Sequence, residues 1–116
     1  MKKAKILKNG VAITENAHIA DNFFSRFRGL MFRKSIPADY ALYIKLCNQI
    51  HMLNMRFAID VVYLSADGRV VKIDENVQPN KICKTVKEAK SVIEMNAFAA
   101  EKYGIGVDDT LEIQIQ

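Results

Sequence analysis

Short runs of apolar residues, separated by turn residues, predict that most of this 116-residue chain forms strands, with only two short helices. The first two strands are predicted at residues 4–8 and 11–19. Between them lies Asn9-Gly10, a dipeptide typical of a two-residue hairpin turn. The first part of the chain is therefore predicted to be an antiparallel hairpin.

A second predicted hairpin is the clearest element in the sequence. It joins residues 59–65 to residues 69–74 around Asp67-Gly68. This dipeptide favours a tight type I′ turn, because that turn needs positive φ at both central positions. Residues 61–64 are all apolar, so we expect this strand to be covered on both faces and not to lie at an edge of the sheet.

A change of period marks the first helix. Its apolar residues recur at helical spacing after Asp21, a residue that can cap a helix, and Gly29 predicts a stop or a close backbone approach. These apolar residues are Phe23, Phe24, Phe27, Leu30 and Met31. A second helix is predicted over residues 97–103, capped by Asn96 and ended by Gly104.

The rest of the chain completes a single domain over residues 1–116. Further strands are predicted at residues 41–46, 49–53, 91–95 and 110–115, whereas residues 75–90 are polar and irregular. Together the elements predict the α+β class, with a compact, mostly antiparallel, barrel-like sheet and two short helices. This pattern does not specify the strand order.

Composition fits one compact core, since 50% of the residues are apolar and 26% are charged. The basic start of the chain, residues 1–8, lacks the apolar stretch that follows it in a signal peptide, and no run approaches the ~18 apolar residues of a membrane-spanning helix. We therefore expect a cytoplasmic protein without a membrane partner. In a reducing compartment, Cys47 and Cys83 are expected to be free thiols rather than a disulfide.

The net charge of +4 is mild and does not by itself name a partner. Four lysines recur at every third residue from Lys81 to Lys90 and are a candidate phosphate-binding stripe. A solvated face is the favoured interpretation, because Glu88 interrupts the stripe and no aromatic residue is interleaved to stack on bases. Nucleic acid is accordingly a disfavoured partner.

Asp60 is the only charged residue between Phe57 and Leu64. Since a buried carboxylate without a partner is costly, Asp60 must find donors or take up a proton. Two interpretations stay open: a carboxylate that holds backbone amides or a loop, and an acid that faces a ligand. Arg56 is the nearest cation, but an extended strand separates it from Asp60 by about 13 Å, so Arg26 and Arg28 are equal candidates.

Cys47, His51 and Met55 are four residues apart and all carry potential soft-metal ligands. On an extended strand they would lie ~13 Å apart, too far to share an ion, so no metal site is predicted. The same spacing disfavours a catalytic Cys47/His51 pair. Phosphate-binding loops and serine-nucleophile motifs are also absent, so no cofactor is predicted.

Four segments together resemble the family called domain of unknown function 192. They are residues 26–33, residues 51–60, the Asp67-Gly68 turn with its following strand, and residues 94–112. The matching motif positions are Arg26, Gly29, Leu30, Met31, His51, Met55, Arg56, Ile59, Asp60, Gly104 and Ile105. The chain departs from the family pattern at Ala58, where proline is usual, and at Asp108, where glycine is usual.

The resemblance implies a compact β-barrel-type α+β domain and supplies no activity. Our leading hypothesis is a small non-enzymatic binding module for a polar or anionic small ligand or a protein partner. Its ligand-binding residues are predicted to be Arg28, His51, Arg56 and Asp60, around the mouth of the barrel. Two alternatives stay open: an enzyme that uses Asp60 and His51 as an acid–base pair, and a weak nucleic-acid binder that uses the lysine stripe and the arginines of residues 26–33.

Overall fold

A computed structural model describes all 116 residues and confirms the α+β class with two short helices; the domain has seven strands. In chain order the elements are β1 (Lys2–Lys8), β2 (Val11–Ala20), α1 (Phe23–Arg28), β3 (Ala41–Lys45), β4 (Ile59–Leu64), β5 (Val70–Val77), β6 (Ser91–Asn96), α2 (Ala99–Lys102) and β7 (Leu111–Ile115). One sheet contains all seven strands in the order β5-β4-β6-β3-β2-β1-β7. Only the β2–β3 pair is parallel.

Both predicted hairpins are confirmed, but one of the turns differs from the prediction. Asn9 and Gly10 have φ values of 53° and 78°, as a turn with two left-handed residues requires. In the β4–β5 turn Gly68 alone has a positive φ, of 84°, so the type I′ prediction for Asp67-Gly68 is wrong. Glycine is required there for a second reason, because a Cβ atom at Gly68 would lie 2.5 Å from the carbonyl oxygen of Leu111.

The predicted barrel-like closure is not observed. The edge strands β5 and β7 are joined only near their starts, by an isolated bridge between Arg69 and Thr110. Val70 N–H donates to Asp109 O, and Leu111 N–H donates to Gly68 O. These few bonds bring the two edges together at one end, but they do not continue as a ladder, so the sheet stays open.

Strand β4 lies between β5 and β6, and all six of its residues are buried, as predicted for a strand covered on both faces. Its side chains alternate between two apolar clusters. Val62 and Leu64 face the cluster that includes Ala99 and Ala100 of α2, which we call the α2 face. The opposite side, which we call the loop face, is covered by apolar residues from 30–57 and 77–89.

The helices begin elsewhere than predicted. Asn22 caps α1 in place of Asp21, because its side chain accepts from Ser25 N–H and the Ser25 hydroxyl accepts from Asn22 N–H. Phe98 precedes α2 in place of Asn96, which ends β6 and donates its side-chain amide to Pro37 O. The predicted stop at Gly29 is confirmed, since its N–H closes the last turn on Ser25 O.

The predicted strand at residues 49–53 does not form. Only His51 makes a bridge, to Ile82, and the backbone is turned by left-handed residues at Leu46 and Asn54. The segment instead packs as a loop on the loop face, held by backbone bonds to residues 80–86. Neither helix is long and apolar enough to span a bilayer.

Candidate functional site: a cleft beside the first helix

A small cleft opens between the end of α1, the loop at residues 47–55 and the loop face of the sheet. Its volume is about 40 Å³, enough for roughly one to three water molecules or one small chemical group. We call it the α1 cleft. Its lining residues are Arg26, Phe27, Arg28, Gly29, Leu30, Met31, Ile44, Cys47, Gln49, Ile50, His51, Met55 and Glu94.

Glu94 is the buried acid of the α1 cleft. It lies on β6 between Leu42 of β3 and Val61 of β4, is only 4% exposed, and its Oε1 atom has no hydrogen-bond partner. Burial raises the pKa of this carboxyl to about 7. Because an unsatisfied buried polar group costs about 1–3 kcal/mol, a water or a ligand group that reaches Oε1 would stabilise this arrangement.

The backbone of Gly29 forms the wall next to Glu94. A Cβ atom at Gly29 would lie 3.1 Å from Glu94 Oε1, closer than most side-chain contacts allow. Gly29 also has φ 50° and ψ −125°, a conformation that glycine adopts more readily than other residues. The helix stop at Gly29 therefore also leaves the space in front of the buried carboxyl.

Two arginine side chains and one histidine line the α1 cleft. Arg26 and Arg28 line it, and neither forms a salt bridge, since the three ion pairs of the protein involve other residues. His51 is half-buried; its Nδ1 accepts from Leu53 N–H at 3.3 Å, and its ring lies 5.7 Å from that of Phe27. The stretch 22–38 contains Arg26, Arg28, Arg33 and Lys34 and no acidic residue, so the local charge is positive.

Four exposed phenylalanines lie on and just after α1. Phe23, Phe24, Phe27 and Phe32 are 77%, 71%, 61% and 58% exposed, and we call them the phenylalanine face. The rings of Phe23 and Phe27 stack at 6.5 Å with 12° between their planes. Phe32 N–H donates to Asn54 O, which ties the turn after α1 to the loop at 47–55. Of the apolar residues that the helical periodicity grouped, three phenylalanines stay exposed, whereas Leu30 and Met31 are buried.

The structure brings together two of the four predicted ligand-binding residues. Arg28 and His51 both line the α1 cleft, whereas Arg56 and Asp60 do not. Arg56 is exposed, and Asp60 lies on the α2 face of the sheet with 0% exposure. The predicted grouping is therefore wrong for Asp60. Alternate side chains of β4 point to opposite faces, and that of Asp60 points away from the α1 cleft. Among the motif residues, Ile59 is in the core, and Arg26, Gly29, Leu30, Met31 and Met55 line the cleft.

Asp60 holds backbone amides, one of the two roles that the sequence left open. Its Oδ1 accepts from Asn76 N–H at 2.9 Å and Phe98 N–H at 3.0 Å, and its Oδ2 accepts from Ala100 N–H at 3.0 Å. Asn76 and Phe98 both have positive φ, so the carboxylate fixes two strained backbone positions. His51 is not among its partners, and the predicted acid–base pair does not form.

Cys47, His51 and Met55 all line the same cleft, although the sequence-based argument placed them far apart on a strand. The three residues lie together because this segment is a loop, so the predicted separation along a strand is wrong. Even so, no three side chains of histidine, cysteine, aspartate or glutamate are arranged to hold a metal ion. Burial raises the pKa of the Cys47 thiol, whose S–H donates to Gln49 O, so it is not activated as a nucleophile. Cys47 and Cys83 are both free.

Sequence reasoning did not identify Glu94 as a site residue, although the signal was present. Glu94 is the only charged residue in the apolar run 92–95, just as Asp60 is in its own strand. The argument applied to Asp60, that an isolated acid among apolar residues needs a partner or a purpose, applies equally to Glu94.

Comparisons with known proteins identify the family of this chain. The model of the family DUF192, described as an uncharacterized ACR, matches residues 4–113. A UPF0127 protein of Pyrococcus furiosus is 32% identical over 108 residues, which cover 89% of this chain and 90% of that protein. A UPF0127 protein of Thermococcus sibiricus is 29% identical over 113 residues, which cover 92% of this chain and 71% of that protein.

Two solved structures have the same fold. One is a protein of Sinorhizobium meliloti whose description proposes a transcription regulator; its TM-score is 0.81 at 22% identity, and the match covers 97% of this chain and 92% of that one. The other is a protein of unknown function from Novosphingobium aromaticivorans, with a TM-score of 0.80 at 21% identity over 95% and 83% of the two chains. At these identities the likeness extends to the fold alone.

Proposed function

Since this chain belongs to the DUF192 family, whose description assigns no activity, we infer its function from the α1 cleft: it is a small binding module for a polar or anionic group. The observation that carries this proposal is Glu94 Oε1, a buried oxygen without a partner that lines an open cleft. Within a fold, buried polar atoms are normally paired. An unpaired one at a cleft is where a ligand group gains a hydrogen bond that the protein alone does not supply.

The charge around the α1 cleft favours an anionic group over a cationic one. Arg26 and Arg28 carry two positive charges without an acidic partner. Opposing them is a single carboxyl, that of Glu94, whose pKa burial raises to about 7. When Glu94 is protonated it can donate a hydrogen bond to an anion, and the two arginines that line the cleft can supply charge-assisted bonds.

This proposal keeps Arg28 and His51 from the sequence-based hypothesis and adds Arg26 and Glu94. Asp60 is left out because three backbone amides already occupy its carboxylate. The enzyme alternative loses its acid–base pair for the same reason. Cytoplasmic location stays a prediction from sequence.

A titration followed by nuclear magnetic resonance tests the proposal. Acetate, succinate and inorganic phosphate are added to the labelled protein at pH 6, with guanidinium as the cationic control. We expect the anions to shift the amide of Gly29 and the ring signals of His51, and guanidinium to leave them in place.

The matched variants are Arg26→Gln with Arg28→Gln, which removes the cations of the α1 cleft, and Arg69→Gln, which removes an exposed arginine elsewhere. The first should abolish the anion-induced shifts and the second should preserve them. Shifts that survive the loss of both cleft arginines would contradict the proposal, as would a cleft that responds to no anion.

A further inference from the structure

We propose that the anionic group belongs to an acidic peptide segment of a protein partner, which places one carboxylate in the α1 cleft and its apolar side chains on the phenylalanine face. This inference rests on the binding function proposed above and names the partner of the same site. The cleft and the phenylalanine face share Phe27, so one extended segment reaches both.

The phenylalanine face is the first part of the argument. Phe23, Phe24 and Phe27 are each more than 60% exposed, and no residue of α1 is buried. A helix on a small domain usually buries its apolar side chains against the core. Clustered exposed rings next to a cleft are instead typical of an interaction surface, where aromatic side chains supply most of the contact energy.

The spacing of the rings fits alternate side chains of an extended peptide. The ring centroids of Phe23 and Phe27 are 6.5 Å apart, and those of Phe27 and His51 are 5.7 Å apart. In an extended chain, side chains on one side recur at about 6.6 Å, twice the ~3.3 Å rise per residue. A segment in which acidic and apolar residues are interspersed can therefore reach the cleft and the rings together.

Charge complementarity favours an acidic partner and excludes a second copy of this chain. The stretch 22–38, which carries the phenylalanine face, contains Arg26, Arg28, Arg33 and Lys34 and no acidic residue. Two copies that met through this face would oppose these like charges to each other. An acidic segment would neutralise them while its apolar side chains cover the rings.

The size of the α1 cleft favours a carboxylate over the phosphodiesters of nucleic acids and lipids. About 40 Å³ admits one small group at the end of a side chain or chain terminus. A phosphodiester carries two bulky substituents and cannot enter as an end group. A carboxylate can enter, and it can accept the hydrogen bond that protonated Glu94 offers from Oε1 or Oε2.

The test uses the full chain and a short capped peptide, Glu-Ser-Leu-Ser-Leu, in which the glutamate and both leucines lie on one side of the extended chain. The peptide is titrated at pH 6 and followed by nuclear magnetic resonance. Two control peptides replace either glutamate by glutamine or leucine by serine. We expect the first peptide to bind at least about tenfold more tightly than either control and than acetate, with shifts at Gly29, His51 and Phe27.

The protein variants test the docking surface. Because Phe27 also lines the cleft, each variant is first checked for the acetate-induced shift at Gly29, which should persist. Phe23→Ser with Phe27→Ser removes two exposed rings of the face, while Phe98→Ser removes an exposed ring beside α2. Peptide affinity should fall about tenfold in the first variant and stay unchanged in the second.

The outcomes distinguish the two proposals. If acetate shifts the cleft signals but the peptide binds no more tightly than acetate, or its affinity survives the loss of Phe23 and Phe27, the docking proposal fails and the binding function stands. If neither acetate nor peptide moves Gly29 and His51, both fail. Binding to oligothymidylate or to phosphatidylserine vesicles that needs the two rings, without peptide binding, would assign the face to another partner and overturn the docking proposal.

Discussion

Two buried acids on the paired strands β4 and β6 differ in their hydrogen bonding. Asp60 of β4 faces α2 and accepts three backbone N–H groups, whereas Glu94 of β6 faces the loop side and leaves Oε1 without a partner. Both are nearly inaccessible, at 0% and 4% exposure. Burial alone therefore does not say what an acid does; its partners do. Asp60 is held by the backbone of the fold, whereas Glu94 Oε1 has no partner and lines the α1 cleft.

The two short helices repeat this contrast on the same two sides of the sheet. Helix α2 buries Ala99 and Ala100 against the sheet, and its first amides bind Asp60. Helix α1 buries none of its residues and carries the exposed rings beside Glu94. Helix α2 is therefore packed against the sheet, whereas the side of α1 leaves both Glu94 Oε1 and the stacked rings of Phe23 and Phe27 without partners.

Removal of the Asp60 charge is the strongest test of this contrast. Asp60→Asn should lower the free energy of unfolding by about 3 kcal/mol. The asparagine amide nitrogen would face one of the N–H groups that Asp60 now accepts, such as that of Ala100, and would leave this buried donor unpaired. Urea unfolding measures this as a lower midpoint with an unchanged slope. Asp21→Asn, at an exposed position, is the control and should change little. A loss below about 0.5 kcal/mol would remove Asp60 from the structural role.

Glu94→Gln should change the pH dependence of stability. The pKa of the folded state is raised from 4.5 to about 7, so between these values the folded protein retains a proton that the unfolded chain has lost. Stability therefore falls as pH rises from 4.5 to 7, by about 3 kcal/mol in total, and is constant above that range.

The Gln variant should lack this decrease. Burial lowers the pKa of His18, and this shift makes the free energy of unfolding rise with pH instead of falling. The effect is present in both proteins, so it cancels in the difference between their free energies of unfolding. Urea unfolding from pH 4 to 8 gives the comparison, with Glu15→Gln at an exposed position as control. If the wild type and Glu94→Gln keep a constant difference across this range, the carboxyl of Glu94 is ionised in the folded protein, which would contradict the contrast with Asp60.

Gly29→Ala probes the wall of the α1 cleft with a smaller effect. We expect a loss of about 2 kcal/mol, from the φ of 50° with ψ of −125° and from a Cβ atom 3.1 Å from Glu94 Oε1. Gly10→Ala is the matched control: it also has positive φ, but no atom lies within 4 Å of the added Cβ, so its cost should be about 1 kcal/mol. Equal losses in thermal or urea unfolding would mean that Glu94 does not restrict a Cβ atom added at position 29.

Local sequence signals predicted much of the fold. Asn9-Gly10 and Asp67-Gly68 located both hairpins because a turn depends on residues adjacent in the chain, and the apolar run at 61–64 identified a strand covered on both faces. Asp108, where the family pattern has glycine, has φ 77° and still turns, since its N–H donates to Val70 O. Aspartate tolerates this left-handed conformation better than most residues.

The candidate site was predicted only in part, for a physical reason. Arg28 and His51 were identified and Glu94 was not, because grouping them requires the β4-β6-β3 order and the face of each strand. Both depend on contacts between residues far apart in sequence. The segment 49–53 is apolar enough for a strand, yet tertiary hydrogen bonds to residues 80–86 make it a loop.

The smallest expected effect tests whether the rings of α1 belong to the fold. Phe23→Ser and Phe27→Ser should each change the free energy of unfolding by no more than about 0.5 kcal/mol, because surface substitutions away from packing contacts rarely do more. Leu30→Ala, just after the helix at 1% exposure, should cost about 3 kcal/mol in the same urea experiment. Losses above 1 kcal/mol at the phenylalanines would mean that the rings pack on the domain itself. Near-neutral values, beside a large loss at Leu30, would mean that these exposed rings are dispensable for folding and free to meet a partner.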